Sequence, residues 1–209
     1  MSAPTPTRTR ALLVVAHPRP DSLTAALAGR ARARLVADGH EVDVLDLYAE
    51  DFDPRMTPAD EPDWADPGKS YSPEVRSHMA RLDAADTIVV VFPLWWFGLP
   101  AILKGWIDRV WNHGFAYGDG GGGGGGSSPS RLAGKRLLWL AVAAYGERQF
   151  AARGWEETVS RLLRTGIAAY CGIEDATVGF VYDSLTAGET ALKAGEEILD
   201  GFVRAGERH

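Results

Sequence analysis

Short apolar segments alternate with longer amphipathic ones along most of the chain. Five segments are typical of strands: residues 10–16, 41–47, 87–92, 136–142 and 176–182. The third is apolar at every position after its first residue, which predicts a strand buried on both faces. The second alternates apolar and acidic residues, which predicts a strand with an exposed face near an edge of the sheet.

Apolar residues at helical spacing occupy the segments between and after these strands. They predict helices at residues 22–38, 73–84, 100–112, 155–169 and 187–205. Strands that alternate with helices in this way predict a parallel sheet with helices on both faces. Five strands so arranged are typical of α/β proteins with a doubly wound, flavodoxin-like sheet in the strand order 2-1-3-4-5.

The length of 209 residues is that of one domain, which we expect to span residues 10–205. Residues 1–9 are rich in Pro, Thr and Arg and predict a disordered tail. Residues 118–130 contain an uninterrupted glycine run at 120–126 and predict a flexible loop. This loop is interpreted either as a tolerated surface insertion or as a mobile lid over a site.

Composition and charge exclude several functional classes. A formal net charge of −6 argues against a protein that clamps nucleic acid. The single cysteine, Cys171, excludes an intramolecular disulfide and is typical of a reducing compartment. The histidines are dispersed, without the spacing of a metal site. Because no segment reads as a signal peptide or a membrane span, we expect a cytoplasmic protein that does not insert into membranes.

The loop after the first strand has the features of a phosphate site. In an open parallel sheet, ligands bind beyond the carboxyl ends of the strands where the strand order reverses, which here selects the loops after strands one, three and four. The hydroxyls of Ser22 and Thr24 lie at the start of a helix, where free backbone N–H groups attract anions. His17 adds a further donor. The alternative interpretation is that Asp21 or Ser22 only caps the helix.

The loop after the third strand holds three consecutive aromatic residues, Trp95, Trp96 and Phe97. Neighbouring side chains point in different directions, so these three cannot all enter one core. Exposing so much apolar area to water is unfavourable, and a flat conjugated ligand explains the set better than packing alone. Pro93 and Gly98 let the backbone approach such a ring closely.

Two further segments are candidates for the same site. Tyr117 follows the helix after this loop, and it either lines a substrate pocket or packs in the core. After the fourth strand, Ala144, Tyr145 and Gly146 also allow a close backbone approach to a ring. The sequence has no nucleophile elbow or P-loop, and the loop after the first strand has no dinucleotide-binding glycine pattern. A site without an evident acid, base or nucleophile is typical of enzymes whose cofactor supplies the chemistry.

Residues 92–106 (FPLWWFGLPAILKGW), followed by Arg109-Val110 and by residues 114–117 (GFAY), closely resemble the NAD(P)H:quinone reductase family, the DT-diaphorase-like enzymes. The resemblance extends from about residue 11 to residue 199. It implies a homodimeric flavoprotein with a flavodoxin-like fold. Such an enzyme takes a hydride from NAD(P)H and passes two electrons to a quinone or similar aromatic acceptor in a ping-pong cycle.

The resemblance also implies the roles of individual residues. It places His17, Ser22, Leu23 and Thr24 near the flavin phosphates. It places the loop after strand three along the flavin ring, with Pro93, Leu94, Trp95, Trp96 and Phe97. Trp96 and Phe97 also wall the substrate pocket, and Tyr117 corresponds to a substrate-contacting tyrosine, the predicted catalytic residue. The block after strand three favours FAD as the flavin, with FMN as the alternative.

The chain departs from the family pattern at two places. Where the family often carries Thr-Thr-Gly-Gly after strand four, residues 141–144 are Ala-Val-Ala-Ala, so only backbone donors, with Ala144, Tyr145 and Gly146 as candidates, serve there. The family's second pocket tyrosine falls on Asp119. Two other functions stay open at this point: a flavin-binding regulatory subunit of a potassium efflux system, and a one-electron carrier of the flavodoxin type.

Overall fold

The computed structural model describes residues 9–66, 68–118, 130–186 and 188–206. Five strands form one parallel sheet: β1 (Arg10–Val15), β2 (Glu41–Asp46), β3 (Thr87–Pro93), β4 (Arg136–Val142) and β5 (Asp175–Val181). Their order is 2-1-3-4-5, so the predicted fold class is confirmed. Every predicted strand agrees with the observed one to within a residue at each end.

The described residues form six α-helices: α1 (Leu23–Ala37), α2 (Pro73–Ala84), α3 (Ala101–Val110), α4 (Glu147–Ala152), α5 (Trp155–Arg161) and α6 (Gly188–Gly206). Serine hydroxyls cap two of them, since Oγ of Ser22 and of Ser72 accept backbone N–H groups in the first turns of α1 and α2. The sequence did not predict α4, because six residues are too few to show a helical period. The helix predicted at 155–169 is α-helical only to Arg161 and continues as a π-helix (Leu162–Ala168) and a short 3₁₀ turn (Ala169–Cys171).

The core lies on both faces of the sheet. Along β3, Ile88, Val90 and Phe92 belong to the buried cluster that includes residues of α2 to α5, and Val89 and Val91 belong to the cluster that includes residues of α1 and α6. This alternation follows from the opposite directions of successive side chains in a strand. The strand is buried on both faces, as its apolar sequence predicts.

The long connection between β2 and α2 is fixed to α3 by a buried ion pair. Nη2 of Arg109, on α3, lies 2.8 Å from the carboxylate of Asp60, and both side chains are almost inaccessible to water. The other carboxylate oxygen accepts the N–H of Ser72 at 2.8 Å, and Nδ2 of Asn112 donates to the Asp60 carbonyl. Burial favours a higher pKa for Asp60, but the hydrogen bonds from Arg109 and Ser72 outweigh it and hold the pKa of this carboxyl below its usual value.

In the part of the chain that the structure describes, no helix is long and apolar enough to cross a membrane. Cys171 is buried, and burial raises the pKa of its thiol to about 12. The predicted tail except for Thr9, the glycine run at 120–126 and Asp119 lie outside the described residues.

Candidate active site

Three loops meet at the carboxyl edge of the sheet. They are residues 16–22 after β1, residues 94–100 after β3 and residues 143–146 after β4. Because β1, β3 and β4 are adjacent in the order 2-1-3-4-5, their carboxyl ends lie side by side, and the strand order reverses between β1 and β3. This is the place where doubly wound sheets bind ligands.

The loop after β1 presents the start of a long helix. Oγ of Ser22 accepts the N–H of Ala25 at 3.1 Å, so this hydroxyl caps α1 as the alternative interpretation proposed. In the first turn of a helix, no preceding helical carbonyl is available to accept the backbone N–H groups. The N–H groups of Leu23 and Thr24 are therefore available to an anion. Thr24 as a whole residue is 2% exposed, so its hydroxyl is not presented at the surface.

His17 is oriented by a neighbour in the same loop. Its Nδ1 accepts the backbone N–H of Arg19 at 3.1 Å, so the neutral ring carries its proton on Nε2. That N–H is the donor which His17 has available for an anion. The Arg19 guanidinium forms an exposed pair with Asp21, and each charge offsets the other.

The loop after β3 forms a tight turn. The N–H of Gly98 donates to the carbonyl of Trp95 at 3.1 Å, and both central residues have left-handed backbones, with φ of 52° at Trp96 and 57° at Phe97. Two positive φ values in the centre define the type I′ class, which normally uses Gly, Asn or Asp. For a bulky residue each such conformation costs about 1–3 kcal/mol and persists only where the surroundings hold it. The turn is therefore strained at two aromatic positions.

The three aromatic side chains of this turn point in different directions. Trp95 is half-exposed, with its ring centroid 6.1 Å from that of His17. Trp96 is 97% exposed. Phe97 is partly buried and stacks on Trp155, with ring centroids 3.9 Å apart. The expectation that these residues cannot share one core is confirmed.

A cavity of about 230 Å³ lies beside this turn. It is lined by Leu94, Trp96, Phe97, Ala143, Ala144, Tyr145 and Phe150. Five of the predicted flavin residues line it: Leu94, Trp96 and Phe97 from the loop after β3, and Ala144 and Tyr145 from the loop after β4. Trp95 lies in the same turn, whereas Pro93 ends β3 in the core. Two larger grooves, of about 510 and 570 Å³, are lined by none of the predicted site residues.

Backbone donors without partners surround the cavity. The N–H groups of Leu94 and Ala143 are used by the sheet, since they donate to Val142 and Val181 at 2.8 Å. Among the described residues, no hydrogen bond takes five N–H groups further along these loops, those of Trp96, Phe97, Ala144, Tyr145 and Gly146. Aromatic faces, a small cavity and N–H donors without acceptors are surroundings that suit a flat ring with a polar edge.

Phe150 and Trp155 belong to this site and were not predicted. Phe150 lies on α4 and lines the cavity, and Trp155 supports Phe97 from the first residue of α5. The sequence carried no local signal for either, because each reaches the loop after β3 from a segment more than fifty residues further along the chain.

The structure does not bring Tyr117 to the cavity within one chain. The α3 helix starts at the loop after β3 and carries the chain about 15 Å away from it, towards the amino ends of the strands. The ring neighbours of Tyr117 are Trp64, His113 and Tyr170. Burial raises the pKa of Tyr117 above its usual value, and Tyr170 raises it further, so the hydroxyl keeps its proton at neutral pH. Tyr117, Trp96 and Phe97 therefore do not share a pocket in the single chain.

Comparison with known proteins agrees with this architecture. A family model described as "Flavodoxin-like fold" matches residues 9–202. An uncharacterized NAD(P)H oxidoreductase, YcaK, of Escherichia coli (strain K12) is 46% identical over 196 residues, which cover 94% of this chain and 92% of that protein. NAD(P)H dehydrogenase (quinone) 1 of Rattus norvegicus is 31% identical over 93% of this chain and 75% of its own length.

The solved structure of an NAD(P)H:quinone oxidoreductase from Methanothermobacter marburgensis matches with a TM-score of 0.82 over 97% of this chain and 98% of its own, at 22% identity. The class is therefore that of a flavodoxin-like α/β protein. Within it, the chain belongs to the NAD(P)H:quinone reductase-like family of oxidoreductases. The resemblance stated from residues 92–117 is confirmed.

Proposed function

We propose that this protein is a flavin-dependent NAD(P)H oxidoreductase that transfers two electrons to a quinone or similar aromatic acceptor, with donor and acceptor binding in turn. The observation that carries the proposal is the strained turn at Trp96 and Phe97, which borders a cavity beside five unpartnered N–H groups. Relatives over most of the chain are named as NAD(P)H oxidoreductase and NAD(P)H dehydrogenase (quinone), which supports the same chemistry here.

The residues of the three loops divide the work of holding a flavin. The start of α1, with the N–H groups of Leu23 and Thr24 and Nε2 of His17, is suited to the phosphate. The turn after β3 offers aromatic faces, and the N–H groups around the cavity are suited to the polar edge of the ring. When bound, the flavin supplies the hydride and two-electron chemistry. The backbone donors stabilise negative charge that develops at that edge, because they are fixed before the reaction begins.

The visible spectrum and reduction by NAD(P)H test this proposal. We expect the purified protein to be yellow or to become so with FMN or FAD, to be bleached by NADH or NADPH, and to regain its colour with menadione. Extraction of the bound flavin then decides between FAD, which the sequence block favours, and FMN. A colourless protein that takes up neither flavin contradicts the proposal. Bleaching that only a one-electron reductant achieves would identify a carrier instead.

We further propose that two copies of the chain complete the acceptor pocket. The cavity of about 230 Å³ is smaller than the roughly 300–1,000 Å³ of ligand pockets. One wall, the Trp96 ring, faces open solvent, and the predicted acceptor residue Tyr117 lies elsewhere on the same chain. In a symmetric dimer, Tyr117 of one copy lies against Trp96 of the other, and the two-fold symmetry gives two such pockets. The Tyr117 hydroxyl, which keeps its proton, then donates to an acceptor oxygen.

Mixing of two inactive variants tests the dimer. We expect Trp96→Ala and Tyr117→Ala each to reduce turnover strongly, and refolding the two chains together to restore about a quarter of the native activity. This fraction follows because half of the random dimers are mixed and each mixed dimer has one intact pocket. Two Trp96→Ala preparations mixed together are the control. Absence of any recovery in the mixed sample, with dimers shown to form, would mean that each pocket belongs to one chain.

The cytoplasmic location stays a prediction from the sequence.

A further inference from the structure

The shortest ring contact in the described part of the molecule joins the loop after β3 to a residue outside all three loops. Phe97 and Trp155 stack with centroids 3.9 Å apart and ring planes at 26°. Trp155 is the first residue of α5 and follows Gly154, whose φ of 68° turns the chain into the helix. The contact links two segments that are remote in the sequence, and no hydrogen bond among the described residues joins them.

The strain in the turn needs a contact that holds it. Trp96 contributes none, because its ring is almost fully exposed. The hydrogen bond from Gly98 to Trp95 closes the turn but does not restrict the side chains. Phe97 is the one strained residue whose ring is packed, and its closest ring partner is Trp155. A left-handed backbone at a bulky residue persists where packing of this kind over-determines it.

Trp155 is itself held on several sides. Its ring lies 5.3 Å from that of Tyr145, in the loop after β4, and 5.8 Å from that of Phe150 on α4. The Arg153 guanidinium lies over the indole at 5.7 Å. The same indole thus contacts the loop after β3 through Phe97 and the loop after β4 through Tyr145, the two loops that line the cavity.

We propose that Trp155 is a positioning residue for the cavity: it holds Phe97, and through Phe97 the turn from Trp95 to Gly98, in the strained conformation that faces the bound ring. This inference rests on the proposed function. Trp155 does not line the cavity itself, so it acts through Phe97 and Tyr145 rather than on the ligand.

Hydrogen exchange of the flavin-free protein is the first test, in wild type, Trp155→Leu and Trp155→Phe. We expect the Gly98 amide, whose hydrogen bond to Trp95 closes the turn, to exchange about tenfold faster in Trp155→Leu, because the lost ring stack corresponds to about that factor in the opening equilibrium. Trp155→Phe keeps an aromatic face and should stay close to wild type. Amides in the first turns of α2, remote from the contact, are the internal control for global destabilisation.

Flavin affinity is the second measurement on the same three proteins. We expect the dissociation constant to rise about tenfold in Trp155→Leu and to be restored in Trp155→Phe. If Trp155→Leu exchanges and binds as wild type does, the positioning role is wrong. If exchange at Gly98 rises only in step with the α2 control, Trp155 is a general packing residue and the proposal is again wrong. A wild type that binds no flavin overturns the proposed function, while the exchange measurement still decides the role of Trp155.

Discussion

Trp96→Ala is expected to lower acceptor turnover at least about tenfold while changing the free energy of unfolding by less than about 0.5 kcal/mol. The ring is 97% exposed, so its removal leaves no cavity in the chain and exposes no buried group. A residue that packs in a core shows the opposite pattern, since truncation of a buried aromatic side chain costs about 3–5 kcal/mol. Steady-state kinetics and denaturant unfolding on the same preparation measure the two quantities.

The control for this prediction is Val36→Ala, at an exposed apolar residue near the end of α1, the opposite end of the helix from the loop after β1. It should leave both turnover and stability unchanged. Trp96→Phe, which keeps an aromatic face, should retain most of the turnover. Equal losses of turnover and of stability in Trp96→Ala would show that the ring serves folding, and would remove the main reason to place an aromatic acceptor against it.

Asp60→Asn is expected to lower the free energy of unfolding by about 3 kcal/mol, which is the low end of the range for breaking a buried ion pair. The variant leaves the Arg109 guanidinium buried without its carboxylate partner at 2.8 Å. The loss stays at the low end because Glu74, which is half-exposed, still contacts the guanidinium at 2.9 Å. Denaturant unfolding at pH 7 measures the difference.

An exposed ion pair supplies the matched control. Arg131 contacts Asp83 at the surface, and Asp83→Asn should change the free energy of unfolding by no more than about 1 kcal/mol. A loss in Asp60→Asn as small as that in Asp83→Asn would show that the buried pair contributes no more than a surface pair.

The difference in the free energy of unfolding between wild type and Asp60→Asn depends on pH, and this dependence shows whether the Asp60 charge causes the loss. The pKa of Asp60 is lower in the folded protein than the value of about 3.9 in an unfolded chain. Its carboxylate therefore stabilises the fold above about pH 4, and this contribution is lost as the pH falls through the folded-state pKa. We expect the gap between wild type and Asp60→Asn to be full at neutral pH and to narrow below about pH 4. A gap that stays constant down to that range would assign the loss to something other than the charge.

Local patterns were sufficient for the strands, because a run of apolar residues at 87–92 reports burial on both faces whatever surrounds it. Local patterns failed where a helix is short or changes from one helix type to another. The α4 helix has too few residues to show a helical period. The change from α-helix to π-helix after Arg161 produces no break in the pattern of apolar residues, so the sequence did not indicate it. The sequence left two roles open for Ser22, a helix cap and a phosphate ligand. The structure shows the cap, in which Oγ of Ser22 accepts the N–H of Ala25. The cap does not use the N–H groups of Leu23 and Thr24, so it is compatible with a phosphate there.

By itself, the sequence determined the parallel sheet in its order, the three loops at its carboxyl edge, the family, and the fact that Trp95, Trp96 and Phe97 cannot point the same way. Only the tertiary structure decided that Trp96 faces solvent, that Phe97 stacks on Trp155, and that Tyr117 lies apart from both. The reason is physical. Periodicity and turn chemistry act over a few neighbouring residues, whereas the Phe97–Trp155 contact and the separation from Tyr117 depend on how the strand register and the direction of α3 place distant segments in space.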